Sequence, residues 1–132
     1  MKKLIYLVLT VLIVSCSSDD SSSSSNSSIN ITPPSWIQGI WLQDLPFELG
    51  FEFKTDDFCT VNMSNTYCFK ADLEQIQEQN VIDANVEQEI TDSYYLLEIT
   101  IGGNTTAYEF DKVSATEIST TVGGTTTIYI KQ

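Results

Sequence analysis

Tyr94-Tyr95-Leu96-Leu97-Glu98-Ile99-Thr100-Ile101-Gly102-Gly103-Asn104-Thr105-Thr106-Ala107-Tyr108-Glu109-Phe110 reads as two β-strands joined by a pair of glycines. Both central positions of a two-residue loop take positive φ at little cost when they are glycine, which favours a tight hairpin turn. Pairing Ile101 with Asn104 sets Tyr95, Leu97 and Ile99 opposite Phe110, Tyr108 and Thr106. Glu98 and Thr100 then share the other face with Ala107 and Thr105. One face is apolar and the other mixed, so burial determines the register. Tyr94 and Leu96 point away from the core in this register, and an exposed Tyr and Leu side by side are candidates for a binding surface.

Working outward, the same pattern recurs. Leu49 to Lys54, Phe58 to Val61, Thr66 to Phe69 and Asn85 to Thr91 are short runs rich in aromatic and β-branched residues. Thr116 to Val122 and Thr126 to Lys131 turn at Gly123-Gly124. A three-residue loop that includes Thr125 aligns Ile118 with Ile130 and Val122 with Thr126, and it is expected because it puts the isoleucines on one buried face. Ala71 to Asn80 differs, since Leu73 and Ile76 among Glu and Gln predict one short amphipathic helix. The expected fold is all-β: a small antiparallel up-and-down barrel of about eight strands that closes or nearly closes, with one short helix.

The cysteines fit this scheme. Phe58 to Phe69 reads as a hairpin turning at Asn62 to Asn65, and pairing Val61 with Thr66 places Cys59 directly opposite Cys68. Directly opposed strand residues are within reach of a disulfide. So short a loop contributes about 2 to 3 kcal/mol in the chain-entropy model. A redox or metal-binding role for the pair lacks both the close spacing and any histidine.

Several phrases carry a family resemblance. Gly39-Ile40-Trp41, Gly50-Phe51-Glu52-Phe53 with Asp56-Asp57-Phe58, Glu89-Ile90-Thr91-Asp92-Ser93-Tyr94-Tyr95, and Tyr108 to Ile118 resemble the small lipocalin-like domains of Bacteroidetes lipoproteins, and together span nearly all of residues 36 to 132. The resemblance implies that Trp41 closes one end of a barrel as a core residue. It implies no catalytic motif, and the domain is shorter than true lipocalins.

The start of the chain gives an address. Met1-Lys2-Lys3 precedes an apolar run from Leu4 to Val14, which is too short for a permanent membrane span of about 20 residues and reads as a secretory signal. Ile13-Val14-Ser15-Cys16 resembles the bacterial lipoprotein signal, which implies that residues 1 to 15 are removed and Cys16 is lipidated. Ser17-Ser18-Asp19-Asp20 resembles the export signal of Bacteroidetes surface lipoproteins. That resemblance implies an outer-membrane lipid anchor at the cell surface, with the periplasmic face as the second choice. Residues 16 to 33 are expected to be the lipidated Cys and a disordered Ser-rich tether, and residues 34 to 132 the β-barrel domain.

Charge narrows the function. Of 132 residues 18 are acidic, and the cations are six lysines without Arg or His. Without the signal, Lys54, Lys70, Lys112 and Lys131 remain, and the net charge is about −14. Nucleic acid is disfavoured as a partner, since phosphate neutralisation needs clustered Lys or Arg. Lacking His and Arg, the chain is expected to be no enzyme, and no cofactor is implied. Carboxylate pairs drawn from Glu52, Asp56, Asp57 and Glu98 are the remaining catalytic candidates, and chance proximity explains them better. Asp56-Asp57 suits calcium only weakly, because no loop of alternating acidic ligands surrounds it; no metal is expected. The function expected is that of a non-catalytic, membrane-anchored binding protein for a small apolar ligand, a glycan or an envelope partner. The alternative is an acidic inhibitor of a cationic enzyme such as a lysozyme.

Overall fold

The computed structural model describes residues 28–132. Nine strands run in chain order: β1 (Gly39–Leu42), β2 (Leu49–Phe53), β3 (Phe58–Asn62), β4 (Asn65–Cys68), β5 (Ala84–Ile90), β6 (Tyr94–Ile101), β7 (Asn104–Lys112), β8 (Glu117–Val122) and β9 (Thr125–Lys131). One helix, α1 (Lys70–Gln79), lies between β4 and β5. Among the described residues the fold is all-β with a single short helix. Every pairing is antiparallel, in the order β4-β3-β2-β1-β9-β8-β7-β6-β5. The last strand returns to pair with the first, and the sheet curls into a half-barrel. It is not closed. The chain leaves β4 as a helix instead of a strand, so β5 starts a new edge rather than pairing with β4.

The Gly102-Gly103 hairpin has the register expected, Tyr95 against Phe110, Leu97 against Tyr108 and Ile99 against Thr106. Its two glycines have φ of 56° and 81°. Cys59 pairs with Cys68, and the two form a disulfide with Cα atoms 4.0 Å apart. The helix buries Leu73 and ends at Asn80 in the left-handed conformation.

Two expectations are corrected. The β8–β9 turn is the two-residue loop Gly123-Gly124, which sets Val122 against Thr125, Ile118 against Tyr129 and Glu117 against Ile130. The core takes the Tyr129 ring, 7% exposed, while Ile128 and Ile130 stay 42% and 38% exposed on the outer face. An aromatic ring buries more area than a branched aliphatic chain, so it, and not the isoleucine count, determines the face. The folded part also begins at Ile29 rather than Pro34. Ile29 and Ile31 are 5% and 1% exposed and join the core cluster. Gln88 of β5 ties this segment down, accepting from the Thr32 N–H and donating to the Asn30 carbonyl, both at 2.9 Å. Two buried isoleucines stabilise the domain by about 1.5 to 3 kcal/mol each.

Aromatic side chains fill the half-barrel. Phe53, Phe58, Tyr95 and Phe110 are fully buried, and the rings of Phe53 and Phe110 meet edge to face at 4.9 Å. Trp41 is buried with its indole N–H donating to the Ile37 carbonyl, and the Lys131 ammonium sits 5.1 Å from its ring centre. Trp36 donates to the Thr91 carbonyl at 2.9 Å, with the Lys112 ammonium 5.8 Å from its ring. Both indoles are thereby satisfied as structural groups.

Candidate binding site

Among the described residues all four lysines are occupied structurally. Beyond the two over tryptophans, Lys70 pairs with Asp56 at 2.9 Å, and Lys54 lies 3.5 Å from the Cys68 sulfur. The Lys70 ammonium holds the Asp56 carboxyl below the usual carboxylate range. Asp57 accepts from the N–H groups of Phe58 and Lys70, at 2.8 and 3.0 Å, and so pins the turn after β2 to the start of α1. Asp56 and Asp57 are therefore engaged in the fold. Glu52 on β2 and Glu98 on β6 are separated by four strands and share no cleft. Glu52 lies within 4.8 Å of Cys59 and Cys68, but both sulfurs are spent in the disulfide. Cys16, Ser17, Ser18, Asp19 and Asp20 lie outside the described residues.

Tyr94 and Leu96 occupy the outer face of β6, both half-buried. Leu96 sits between Glu89 of β5 and Glu109 of β7, and Tyr94 lies opposite Asp111. Glu87 and Glu98 stand directly across from each other. Five carboxylates thus surround an apolar centre. Burial, and then Glu109, Glu89, Asp111 and Glu98, push the Tyr94 hydroxyl above its ordinary value. Among the described residues only one ion pair, Lys70–Asp56, offsets the acidic excess. Like charges directly opposite on a sheet, as at Glu87 and Glu98, destabilise it.

A cleft opens between β7 and β8. These strands pair at Asp111–Ser119 and Lys112–Ile118. Continuing that register would join Phe110 to Thr120, Glu109 to Thr121 and Tyr108 to Val122, yet those three rungs are absent among the described residues. The same six residues line a cavity of about 430 Å³. Its floor is Phe51, whose ring centre is 5.0 Å from those of Phe110 and Tyr129. Tyr108 stands 6.5 Å away, edge on. Val122, at the lip, is 78% exposed.

No family model, curated protein or solved structure matches the chain. Its chemistry rests on its own geometry.

Sequence reasoning placed Tyr94 and Leu96 correctly on the outer face and missed the cleft. A signal for it was present. The inward positions near the β8–β9 tip are Thr120, Val122, Thr125 and Thr127, which offer little apolar area to draw the hairpin against β7. Where one face has little to bury, strand pairing is weakly specified.

Proposed function

We propose that this chain is a membrane-anchored, non-catalytic lipoprotein whose β domain is a binding module, with the ligand held in the aromatic cleft between β7 and β8. The cleft carries the reading. Its volume lies in the range of ligand sites, and it combines an apolar floor with a few polar groups at its rim. Glu109 is the one carboxylate lining it among the described residues, so the two-carboxylate arrangement of glycoside hydrolysis is not assembled there. With no Lys in that lining, neutral or cationic ligands are favoured over anions.

An uncharged solvatochromic dye, Nile red, tests this with the Cys16→Ser chain from residue 16 onward, which carries neither lipid nor the apolar run Leu4 to Val14. Saturable binding with a blue-shifted emission is expected. Thr120→Trp, which sets an indole in the cleft, should weaken it about tenfold or more, while Ile128→Trp on the outer face of β9 should leave it unchanged. Equal binding by both variants would remove the cleft as the site.

The outer face of β5, β6 and β7 supports a second reading, in which the domain inhibits a cationic enzyme such as a lysozyme. Five carboxylates around Tyr94 and Leu96 suit a basic partner with an apolar contact residue. Association with a lysozyme is expected to fall steeply as salt rises and the Debye length shrinks from about 10 Å at 0.1 M to about 3 Å at 1 M. Salt-independent binding, or none, excludes this reading.

A further inference from the structure

We propose that the cleft between β7 and β8 receives an extended peptide strand, which inserts between the two and completes the sheet. This rests on the reading of the cleft as the ligand site and names the class of ligand. The main chain carries the argument. Lys112 of β7 donates its N–H to Ser93, on the β6 side, whereas Val113 donates to Glu117, on the β8 side. Peptide groups alternate in direction along a strand, so Glu109 and Ala107 point their N–H and C=O groups toward β8. On β8 the Thr116 carbonyl accepts from Lys131, which assigns even-numbered residues to β9 and turns Thr121 toward β7. The rims of the cleft are therefore main-chain groups that face each other across missing rungs, Ala107 and Glu109 on one side and Thr121 on the other.

An apolar molecule would cover the Phe51 floor and leave both rims unpaired. An extended peptide offers a donor and an acceptor at every second residue to each rim, which is how a strand adds to an open sheet edge. The size agrees. Three residues of strand, about 10 Å long, 4.8 Å wide and 10 Å through the side chains, occupy roughly 480 Å³, against the cavity's 430 Å³. Side chains of the inserted strand alternate in direction. Those pointing inward meet Phe51 and Tyr129 and need to be apolar. Those pointing outward lie beside Glu109, on the acidic face with Leu96 and Glu98, and need to be basic. The ligand class is an extended segment that alternates apolar residues with Lys or Arg.

Fluorescence anisotropy with the same Cys16→Ser chain, residues 16 to 132, tests this. The probe is a fluorescein-labelled heptapeptide, Lys-Phe-Lys-Val-Lys-Phe-Lys, and its control is the same peptide with alternate main-chain nitrogens methylated, which keeps charge and side chains but removes donors. Saturable binding is expected, weakened about tenfold or more by methylation, as loss of two or more hydrogen bonds implies. Thr121→Pro should fold like the parent, because proline is tolerated where a strand N–H has no partner, and should weaken the peptide by a similar factor. Equal binding of methylated and unmethylated peptide would overturn the proposal, since attraction would then lie in charge and side chains. So would a Thr121→Pro chain that melts far below the parent, because that nitrogen would then be paired in the fold, or a dimer of the chain whose clefts refuse peptide. Nile red binding without peptide binding would reject the strand and leave the cleft as a ligand site, and failure of both would reject the two readings together.

Discussion

Gly50→Ala is expected to lower the unfolding free energy by about 3 to 5 kcal/mol, a large part of the roughly 5 to 15 kcal/mol that holds a domain of this size together. Gly50 lies on β2 between Leu42 of β1 and Val61 of β3. A Cβ there would run into the backbone carbonyl oxygen of Trp41 and come within 3.0 Å of the Leu42 Cα. The obstacle is backbone, so no rotamer change relieves it. Moving β1 away would break its four rungs with β2 and draw Trp41, 1% exposed, out of the core. Glycine inside a strand commonly marks such a close backbone approach. Gly103→Ala is the matched control. Nothing lies within 4 Å of a Cβ at that turn, and only its φ of 81° resists, for about 1 to 2 kcal/mol. Urea titration should move the midpoint of Gly50→Ala much further than that of Gly103→Ala, with unchanged slope for both. A Gly50→Ala unfolding free energy within about 1 kcal/mol of the parent's would mean that β1 and β2 do not approach each other as described.

The legible parts of this fold are those where one residue pattern leaves a single burial solution. In β6 and β7 every inward position carries Tyr, Leu, Ile or Phe until Thr106, and the register followed from those side chains alone. Cys59 and Cys68 were legible for the same reason, since Val61 and Thr66 determine the hairpin between them. The β8–β9 hairpin misled because Ile118, Ile128 and Ile130 look like one face, while Tyr129 outweighs them. The Ser-rich composition of residues 17 to 28 concealed where folding begins, because Ile29 and Ile31 are two apolar residues in a polar run. Their burial depends on Gln88, which is 57 residues further along than Ile31 and which also accepts from the Tyr95 hydroxyl at 2.8 Å. The cleft depends on rungs that fail to form, and a missing contact between adjacent strands leaves only a faint trace in sequence. Chemistry was least legible of all: the carboxylates that look catalytic as letters, Asp56 and Asp57, are committed to Lys70 and to the start of the helix.

Cys16→Ser is expected to move the protein from the membrane fraction to the soluble one almost completely. The expectation follows from the proposed lipid anchor, and its size follows from the anchor's physics. A single acyl chain holds a protein only marginally, with an association constant of about 10⁴ M⁻¹, and each further buried methylene contributes about 0.8 kcal/mol, so several chains make release negligible. Nothing among the described residues offers a comparable hold. Among the described residues no helix is long and apolar enough to cross a membrane. A net charge of about −14 on residues 16 to 132 opposes attraction to anionic lipid. Folding from Ile29 leaves the 12 residues from Ser17 to Ser28 between the anchor and the first core side chain, a reach of at most about 40 to 43 Å. The β domain would thus be held close to the bilayer, within range of other envelope proteins and their extended segments. Cell fractionation with intact mass reads the outcome directly. The parent should lack residues 1 to 15, carry acyl chains and sediment with membranes, and the variant should carry none and remain in the supernatant. A variant that lacks residues 1 to 15 and still sediments with membranes, or a parent whose mass shows no lipid on Cys16, would overturn the anchor and send the search for a partner to the soluble phase.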